Sequence, residues 1–210
     1  MNPIVVAAVI AKDQSELDTS LTKLRGHVNR VQLDYMDGKF VESHSLDFTF
    51  NLPTYFEYEA HLMVESPMKW IEKLPASIKT VIVHVETFGV AEAIKRVKGR
   101  NNEVFLALNP STSVEALKPF LGLIDGVMVM AVEPGKYGAV FIPYTLEKVK
   151  ELRRNNKELV IEVDGGMNPT TAREARIMGA DIIVSGSYIV KSSNVSMVVS
   201  ELRKSITQNM

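Results

Sequence analysis

Two carboxylates stand where apolar runs of the sequence end, and glycine follows soon after each. Asp34 comes directly after Val31-Gln32-Leu33, and Asp164 comes after Leu159–Val163 and before Gly165-Gly166. A buried strand that ends on Asp and turns on Gly places the carboxylate where loops and substrates meet. If the two carboxylates face one cavity from opposite sides, they suit a 1,1-proton transfer. One would remove a proton from a carbon atom, and the other would return a proton to the opposite face.

A histidine that lies between these carboxylates in the sequence could complete a metal site. His61 belongs to the apolar run Tyr58–Val64, and we expect it to be a metal ligand beside the two carboxylates. A cation at this place would stabilise the negative charge that develops on enediolate oxygens. His84 also lies inside an apolar run, and we expect it to be a hydrogen-bonded histidine of the core.

Glycine-bearing loops are the candidates for binding a phosphate group. Loops after the last strands of a barrel commonly bind phosphate through backbone N–H groups, and glycine allows the close approach. The candidate residues for this role are Gly135, Gly138, Gly165, Gly166, Gly186 and Ser187.

Three methionines, Met36, Met63 and Met130, also fall near predicted strand ends. Methionine usually fills a core, but three of them at one barrel mouth could form an apolar floor under the reacting carbon atoms. The sequence leaves both interpretations open, and the second makes all three candidate substrate contacts.

The elements that must position these residues alternate along the whole chain. Apolar runs of strand length alternate eight times with amphipathic segments, and special residues recur every 21–34 positions near strand ends, from Asp34 to Ser185. This rhythm predicts a single (β/α)8 barrel over residues 1–210, with its active site at the carboxyl ends of the strands. A doubly wound open sheet is the alternative, but it would not usually need eight strands in this length.

Several local expectations accompany the barrel. Asp13 with Glu16, and Asn168 with Pro169, predict helix starts. We expect the second strand to run over Arg30–Leu33 and to stop before Asp34. Ser66 is expected to cap a short helix with Pro67 in its first turn, and Ser113–Leu121 is expected to be helical. Leu46–Pro53 alternates apolar and polar residues, which favours an extended segment over a helix.

Composition excludes several classes of function. Lys and Arg number 24 against 25 Asp and Glu, so the net charge is −1, and no basic surface for nucleic acid or an anionic membrane is expected. The chain has no cysteine, which fits a cytoplasmic location. The first apolar run, Ile4–Ala11, is too short to span a bilayer and lacks the charged start of a signal peptide. The sequence leaves homo-oligomer formation open.

Taken together, these segments resemble the ribulose-phosphate 3-epimerase family over nearly the whole chain. The matching segments follow the family's order, and they are Leu33–Val41, Ala60–Glu65, Val83–Glu86, Ala107–Thr112, Val129–Gly135, Phe141–Pro143, Glu162–Gly166 and Ser185–Ser187. The resemblance implies a barrel with a divalent metal, which could be zinc, manganese or iron. It also implies acid/base roles for Asp34 and Asp164, a ligand role for His61, and phosphate binding by the loops that carry Gly138, Gly166, Gly186 and Ser187.

The departures from the family pattern fall at the expected site. Gln32 stands where the family has a fourth metal ligand, a histidine, and Ala8 stands where the first strand usually has a serine. An amide oxygen can bind a hard cation, but it is a poorer zinc ligand than imidazole. In the loop after the sixth predicted strand, Lys136, Tyr137 and Ala139 replace the family's Phe, Gly and Gln.

Three functions compete on these grounds. The leading hypothesis is an epimerase that inverts a carbon of a ketose phosphate by two-carboxylate proton transfer through a metal-stabilised enediolate. Decarboxylases and aldol enzymes of the same superfamily carry an Asp-x-Lys-x-x-Asp cluster, and Asp34-Tyr35-Met36-Asp37 has no Lys at that spacing. A barrel that binds a phosphosugar with altered or no catalysis is the third hypothesis, because two expected site residues are replaced.

Overall fold

Eight parallel strands close into a barrel, which confirms the predicted fold class. The computed structural model describes residues 3–207. Of the nine strands that these described residues form, only β3 pairs antiparallel. Strand β1 pairs with both β2 and β9, so the other eight strands form a ring. The strands are β1 Ile4–Val9, β2 Arg30–Asp37, β3 His44–Ser45, β4 Glu57–Met63, β5 Ile78–His84, β6 Glu103–Leu108, β7 Gly126–Met130, β8 Val160–Asp164 and β9 Ile182–Ser185.

The barrel strands are buried on both faces, which explains why they read as continuous apolar runs. Residues that face outward pack under the helices, as Val31, Leu33 and Tyr35 of β2 do. Residues that face inward fill the barrel with a second apolar cluster, which includes Val6, Ala8, Ile82, Phe105, Ala107, Met128, Met130, Val132, Ile182 and Val184. Because side chains alternate along a strand, each site residue shares its inward direction with the residue two positions away.

Within residues 3–207, five connections between barrel strands contain an α-helix, and two more helices follow the last strand. They are α1 Gln14–Leu24, α2 Met68–Lys73, α3 Val90–Gly99, α4 Leu146–Asn155, α5 Pro169–Met178, α6 Ser187–Val190 and α7 Val195–Thr207. Two predicted helix starts are confirmed. Asp13 accepts a hydrogen bond from the Glu16 amide, and Asn168 forms a capping box with Thr171 at the start of α5.

The connection between β2 and β4, which the structure describes throughout residues 38–56, has no α-helix. Strand β2 continues through Asp34 to Asp37, so the prediction that it stops before Asp34 is wrong. Its last residues pair with both β4 and the short β3, and these pairings extend the strand. The segment that follows is extended, as its alternation predicts. In place of a helix, the ring of Phe50 packs against Tyr35, and the ring of Phe48 packs against Phe50.

Two local expectations are wrong for identifiable reasons. Ser113–Leu121 contains only the 3₁₀ turn Val114–Leu117, although Ser113 does cap it, and Pro119 lacks the N–H that an α-helix would need there. Helix α2 is preceded by Pro67, which caps it without a side-chain hydrogen bond, so Ser66 is not its cap. A second 3₁₀ turn, Pro143–Thr145, leads into α4.

Within residues 3–207, no helix combines the length and the apolar composition that crossing a membrane would require.

The carboxylate of Asp37 holds together the two loops that follow β2 and β4. It accepts backbone hydrogen bonds from Lys39, Phe40 and Glu65, each at 2.9 Å. Burial raises the pKa of Asp37, but these hydrogen bonds outweigh burial, and the net pKa is lowered. The charged form is therefore the one that stabilises the fold.

We expect Asp37→Ala to lower the free energy of unfolding by about 1–3 kcal/mol at pH 7, because hydrogen bonds to a charged acceptor are lost. A group with a lowered folded-state pKa stabilises above its unfolded pKa and loses that effect as the pH falls. The difference from the wild type should therefore shrink in acid. Urea unfolding at several pH values measures it, with exposed Asp47→Ala as the control, and a difference that does not change with pH would contradict this role.

Candidate active site

Three predicted site residues converge inside the carboxyl end of the barrel. Asp34, His61 and Asp164 come from β2, β4 and β8, and each offers one ligand atom within 4.8 Å of the other two. Asp34 and His61 are paired in register on neighbouring strands, and all three side chains are buried. The closeness of the two carboxylates follows from strand register and the shared inward direction.

Gln32 joins this cluster from below, two residues before Asp34 on the same strand. Its amide nitrogen lies 2.8 Å from Oδ1 of Asp34, 2.9 Å from Oδ2 of Asp164 and 3.3 Å from Nδ1 of His61. The amide donates to one oxygen of each carboxylate. All four residues proposed from the sequence as metal ligands therefore lie in one group.

Burial and mutual charge shape the protonation of this group. Burial and the nearby charge of Asp34 raise the pKa of Asp164 to about 7. Burial lowers the pKa of His61, but the hydrogen bond with Asp34 and the charges of both aspartates outweigh burial and raise it. Both shifts show that the cluster favours added positive charge.

A second histidine lies behind His61. Nε2 of His84 is 2.8 Å from Nε2 of His61, and Nδ1 of His84 is 3.3 Å from Oε2 of Glu86. Burial lowers the pKa of His84 to about 4, so its imidazole is neutral at pH 7. The Glu86 carboxylate favours hydrogen on Nδ1 of His84, which leaves Nε2 to accept from His61. Nδ1 of His61 can then carry the hydrogen that bonds to Asp34, and it would offer its lone pair when a cation replaces that hydrogen.

The prediction for His84 is confirmed for its burial and hydrogen bonding, but it did not include a contact with the site. The side chain is buried and hydrogen-bonded, as expected for a core histidine, but its partner is the site residue His61. The spacing of Glu86 two residues after His84 is the sequence signal that could have indicated a shared direction. Phe40 closes the same region, since its ring centroid is 4.7 Å from that of His84.

The donor set fits a divalent cation. Nδ1 of His61 lies 3.3 Å from Oδ1 of Asp34 and 3.7 Å from Oδ2 of Asp164. Ligands that bind one metal at about 2.0–2.2 Å are roughly 3–3.6 Å apart in tetrahedral or octahedral geometry. The first spacing falls in this range and the second lies just beyond it, so a small side-chain adjustment would bring the three ligand atoms around one cation. Two carboxylate oxygens, one imidazole lone pair and one amide group form an oxygen-rich set, and such sets suit hard cations.

A cavity opens above the two carboxylates, at the predicted end of the barrel. Most candidate substrate contacts line it, namely Met63, Met130, Gly135, Gly138, Gly165, Gly166, Gly186 and Ser187, together with Asp34 and Asp164. Gln32, His61 and Met36 do not line it, since they are buried below or beside it. Lining residues for which the sequence suggested no role include Ile10, Val132 and Met167.

Tyr137 ties the long loop after β7 to the first strand. Its hydroxyl accepts from the amide of Ile10 and donates to the carbonyl of Ala8, both at 2.9 Å. Its ring lies against Gly186, where an added Cβ would come within 2.8 Å of the ring. Gly186 thus makes room for the tyrosine ring, and the hydrogen bond to the Ala8 carbonyl connects two of the departures noted in the sequence.

Two further carboxylates, unforeseen from the sequence, lie one layer deeper in the barrel. Glu59 and Glu162 precede His61 and Asp164 by two residues, and both are fully buried. Burial raises the pKa of both, and it raises that of Glu162 well above its usual range. Nη1 of Arg30 lies 3.7 Å from Oε2 of Glu59. Strand alternation is the signal that could have placed them beneath the site.

We expect one divalent cation to bind per chain and His61→Ala to weaken that binding at least about tenfold, since one of few direct ligands is lost. Metal content after dialysis and calorimetric titration with Mn²⁺ and Zn²⁺ measure this. His27→Ala is the control, because the side chain of His27 lies outside the cluster. Equal affinity in wild type and His61→Ala would contradict the assigned ligand set.

Comparison with known proteins gives a consistent result. The model of the Ribulose-phosphate 3 epimerase family matches residues 4–190. A ribulose-phosphate 3-epimerase of Chlamydia muridarum is 33% identical over 181 residues, which cover 80% of this chain and 79% of the relative. The cytoplasmic isoform of ribulose-phosphate 3-epimerase from Oryza sativa subsp. japonica is 35% identical over 186 residues, 84% of this chain and 82% of the relative.

Solved structures of other proteins share the fold of this chain, at low sequence identity. The crystal structure of 3-hexulose-6-phosphate synthase from Salmonella typhimurium aligns with a TM-score of 0.71 at 14% identity, covering 98% of this chain and 99% of that one.

Proposed function

This chain belongs to the ribulose-phosphate 3-epimerase family, and from that premise we propose that it is an isomerase that interconverts ribulose 5-phosphate and xylulose 5-phosphate. The observation that carries the proposal is the pair of buried carboxylates, Asp34 and Asp164, which converge within 4.8 Å and line the same cavity. The cytoplasmic location expected from composition belongs to this proposal, and the name of the rice relative supports it.

In the inversion, one carboxylate acts as the base and the other carboxyl group acts as the acid. The hydrogen on carbon 3 is next to the carbonyl of the ketose, so it can be removed as a proton by a well-placed base. One aspartate takes this proton from one face of the carbon. The other aspartate holds a proton and delivers it to the opposite face, which inverts the configuration. In the reverse reaction the roles exchange.

The surrounding residues keep this pair in place. The Gln32 amide bridges Asp34 and Asp164, and the Glu86–His84 pair holds the ring of His61 beside them. A divalent metal held by Asp34, His61, Asp164 and Gln32 would stabilise the negative charge that develops on substrate oxygens. Burial of the cluster excludes bulk water, and fixed charges and dipoles act more strongly there.

The rest of the cavity suits the other end of a sugar phosphate. Gly138, Gly166, Gly186 and Ser187 lie at its rim, and their backbone N–H groups would bind the phosphate. Gly166 has φ +67 and would place an added Cβ 2.8 Å from Cβ of Phe141, so a larger residue is excluded there. Met63 and Met130 line the inner wall and would contact the carbon chain.

A second candidate, a barrel that binds a phosphosugar without catalysing epimerisation, is favoured by one observation. Tyr137 projects from the loop after β7 and lies between Ala8 and Gly186, so it occupies part of the cavity that the substrate would need. Activity and binding assays separate the two candidates. A thermal shift with ribulose 5-phosphate but no turnover in the presence of Mn²⁺, Fe²⁺ or Zn²⁺ would favour the second.

We expect Asp164→Asn to reduce kcat by about 10²- to 10⁴-fold, because an amide cannot exchange a proton at this position. The coupled assay of xylulose 5-phosphate formation measures the change. Asp47→Asn, an exposed position outside the cavity, is the matched control and should retain the wild-type rate. A folded Asp164→Asn protein with a rate within threefold of the wild type would contradict the two-carboxylate mechanism.

A further inference from the structure

The amide of Gln32 has two chemically different ends, and the structure gives them unequal surroundings. The nitrogen carries two hydrogens, and it lies 2.8 and 2.9 Å from one oxygen of Asp34 and one of Asp164. It occupies the point toward which both aspartates and Nδ1 of His61 converge. In this orientation the amide itself supplies the donors that two neighbouring carboxylates need.

The oxygen at the other end is buried and has no hydrogen-bond partner among residues 3–207. A buried carbonyl without a partner is costly, so this orientation satisfies only half of the side chain. The opposite orientation would turn the oxygen toward the aspartates, where it would be repelled unless a cation lay between them. The charge in the cluster therefore decides which orientation is stable.

In that opposite orientation, the carboxyl groups beside and below Gln32 can accept hydrogen bonds from its amide nitrogen. Glu59 is paired in register with Gln32 on the neighbouring strand, and both side chains face inward. Strands so paired are about 4.8 Å apart, which places the two side chains side by side. The carboxyl groups of Glu59 and Glu162 hydrogen-bond to each other, and the guanidinium of Arg30 approaches Glu59. A carboxyl group retains acceptor capacity whether or not it is protonated.

We propose that Gln32 is a rotating amide that exchanges its two ends when a divalent cation binds. Before binding, the nitrogen faces Asp34 and Asp164 and holds them together. After binding, the oxygen is a ligand of the cation, and the nitrogen donates to Glu59 or Glu162. The exchange needs a half-turn about the Cγ–Cδ bond and no movement of the barrel. This inference deepens the proposed function and rests on it for the use of the cation.

A consequence follows for the choice of cation. With an amide oxygen from Gln32, the protein supplies three oxygens and one nitrogen, whereas a histidine at position 32 would supply two nitrogens. Imidazole favours Zn²⁺, and oxygen ligands favour harder cations such as Mn²⁺ and Mg²⁺. We expect Gln32→His to raise the affinity for Zn²⁺ at least tenfold and to change the affinity for Mn²⁺ less than threefold.

The rotation can be observed in the unmodified protein. The side-chain N–H₂ signals of Gln32, assigned by their loss in Gln32→Met, are followed by ¹⁵N NMR while Zn²⁺, which is diamagnetic, is added to protein treated with EDTA. We expect both signals to shift in proportion to the calorimetric occupancy, and the nuclear Overhauser effects of the N–H₂ hydrogens to move from Asp34 and Asp164 to Glu59 or Glu162. Shifts without that change of neighbours would overturn the proposal. Signals that do not move while one equivalent of Zn²⁺ binds would overturn the proposal, and so would the failure of both Zn²⁺ and Mn²⁺ to bind.

Affinities of the wild type and Gln32→His for Zn²⁺ and Mn²⁺ provide the second readout, and an equal change for both cations would overturn the proposal. An epimerase assay on the same wild-type samples separates this inference from the proposed function. Turnover with unmoved Gln32 signals leaves the function standing and refutes the rotation. Overhauser effects that move to Glu59 or Glu162 without turnover support the rotation and refute the function.

Discussion

The site depends on acidic groups that the barrel holds close together away from water. Asp34 and Asp164 meet at one level, and Glu59 and Glu162 lie at the level beneath. Such carboxyl groups stay together only if donors, cations or protons offset their repulsion. The Gln32 amide bridges the upper pair, and the guanidinium of Arg30 approaches Glu59. This constraint accounts for the raised pKa of Asp164 and for the fit to a divalent metal.

Strand geometry brings these groups together more than any loop does. The acidic residues, Gln32 and His61 belong to β2, β4 and β8, whose register is set by continuous pairing around the barrel. Loops complete the cavity above these groups. The loop after β7 brings Tyr137 over Gly186, and Asp37 fastens the turns beside the cavity. The chemistry thus rests on the rigid part of the molecule, and the shape of the cavity rests on its connections.

The fold and the central residues were predictable because both follow from periodicity. Strand-length apolar runs ending near Asp34, His61 and Asp164 required those residues to meet if the barrel closed. The length of β2 was not predictable in this way, since it depends on pairing with β3 and β4. The partner of His84 was missed because a histidine in an apolar strand looks the same whether it is structural or supports a site. The orientation of the Gln32 amide is set by contacts with β4 and β8, which no local pattern records.

The central claim is that a proton leaves carbon 3 of the ketose and that a different proton returns to the opposite face. Converting ribulose 5-phosphate in D₂O, followed by NMR or mass spectrometry of the xylulose 5-phosphate formed, tests this most directly. The account predicts one deuterium at carbon 3 of the product, because a carboxylic acid group exchanges its proton with solvent. Product formed at the normal rate with hydrogen retained at carbon 3 would contradict it.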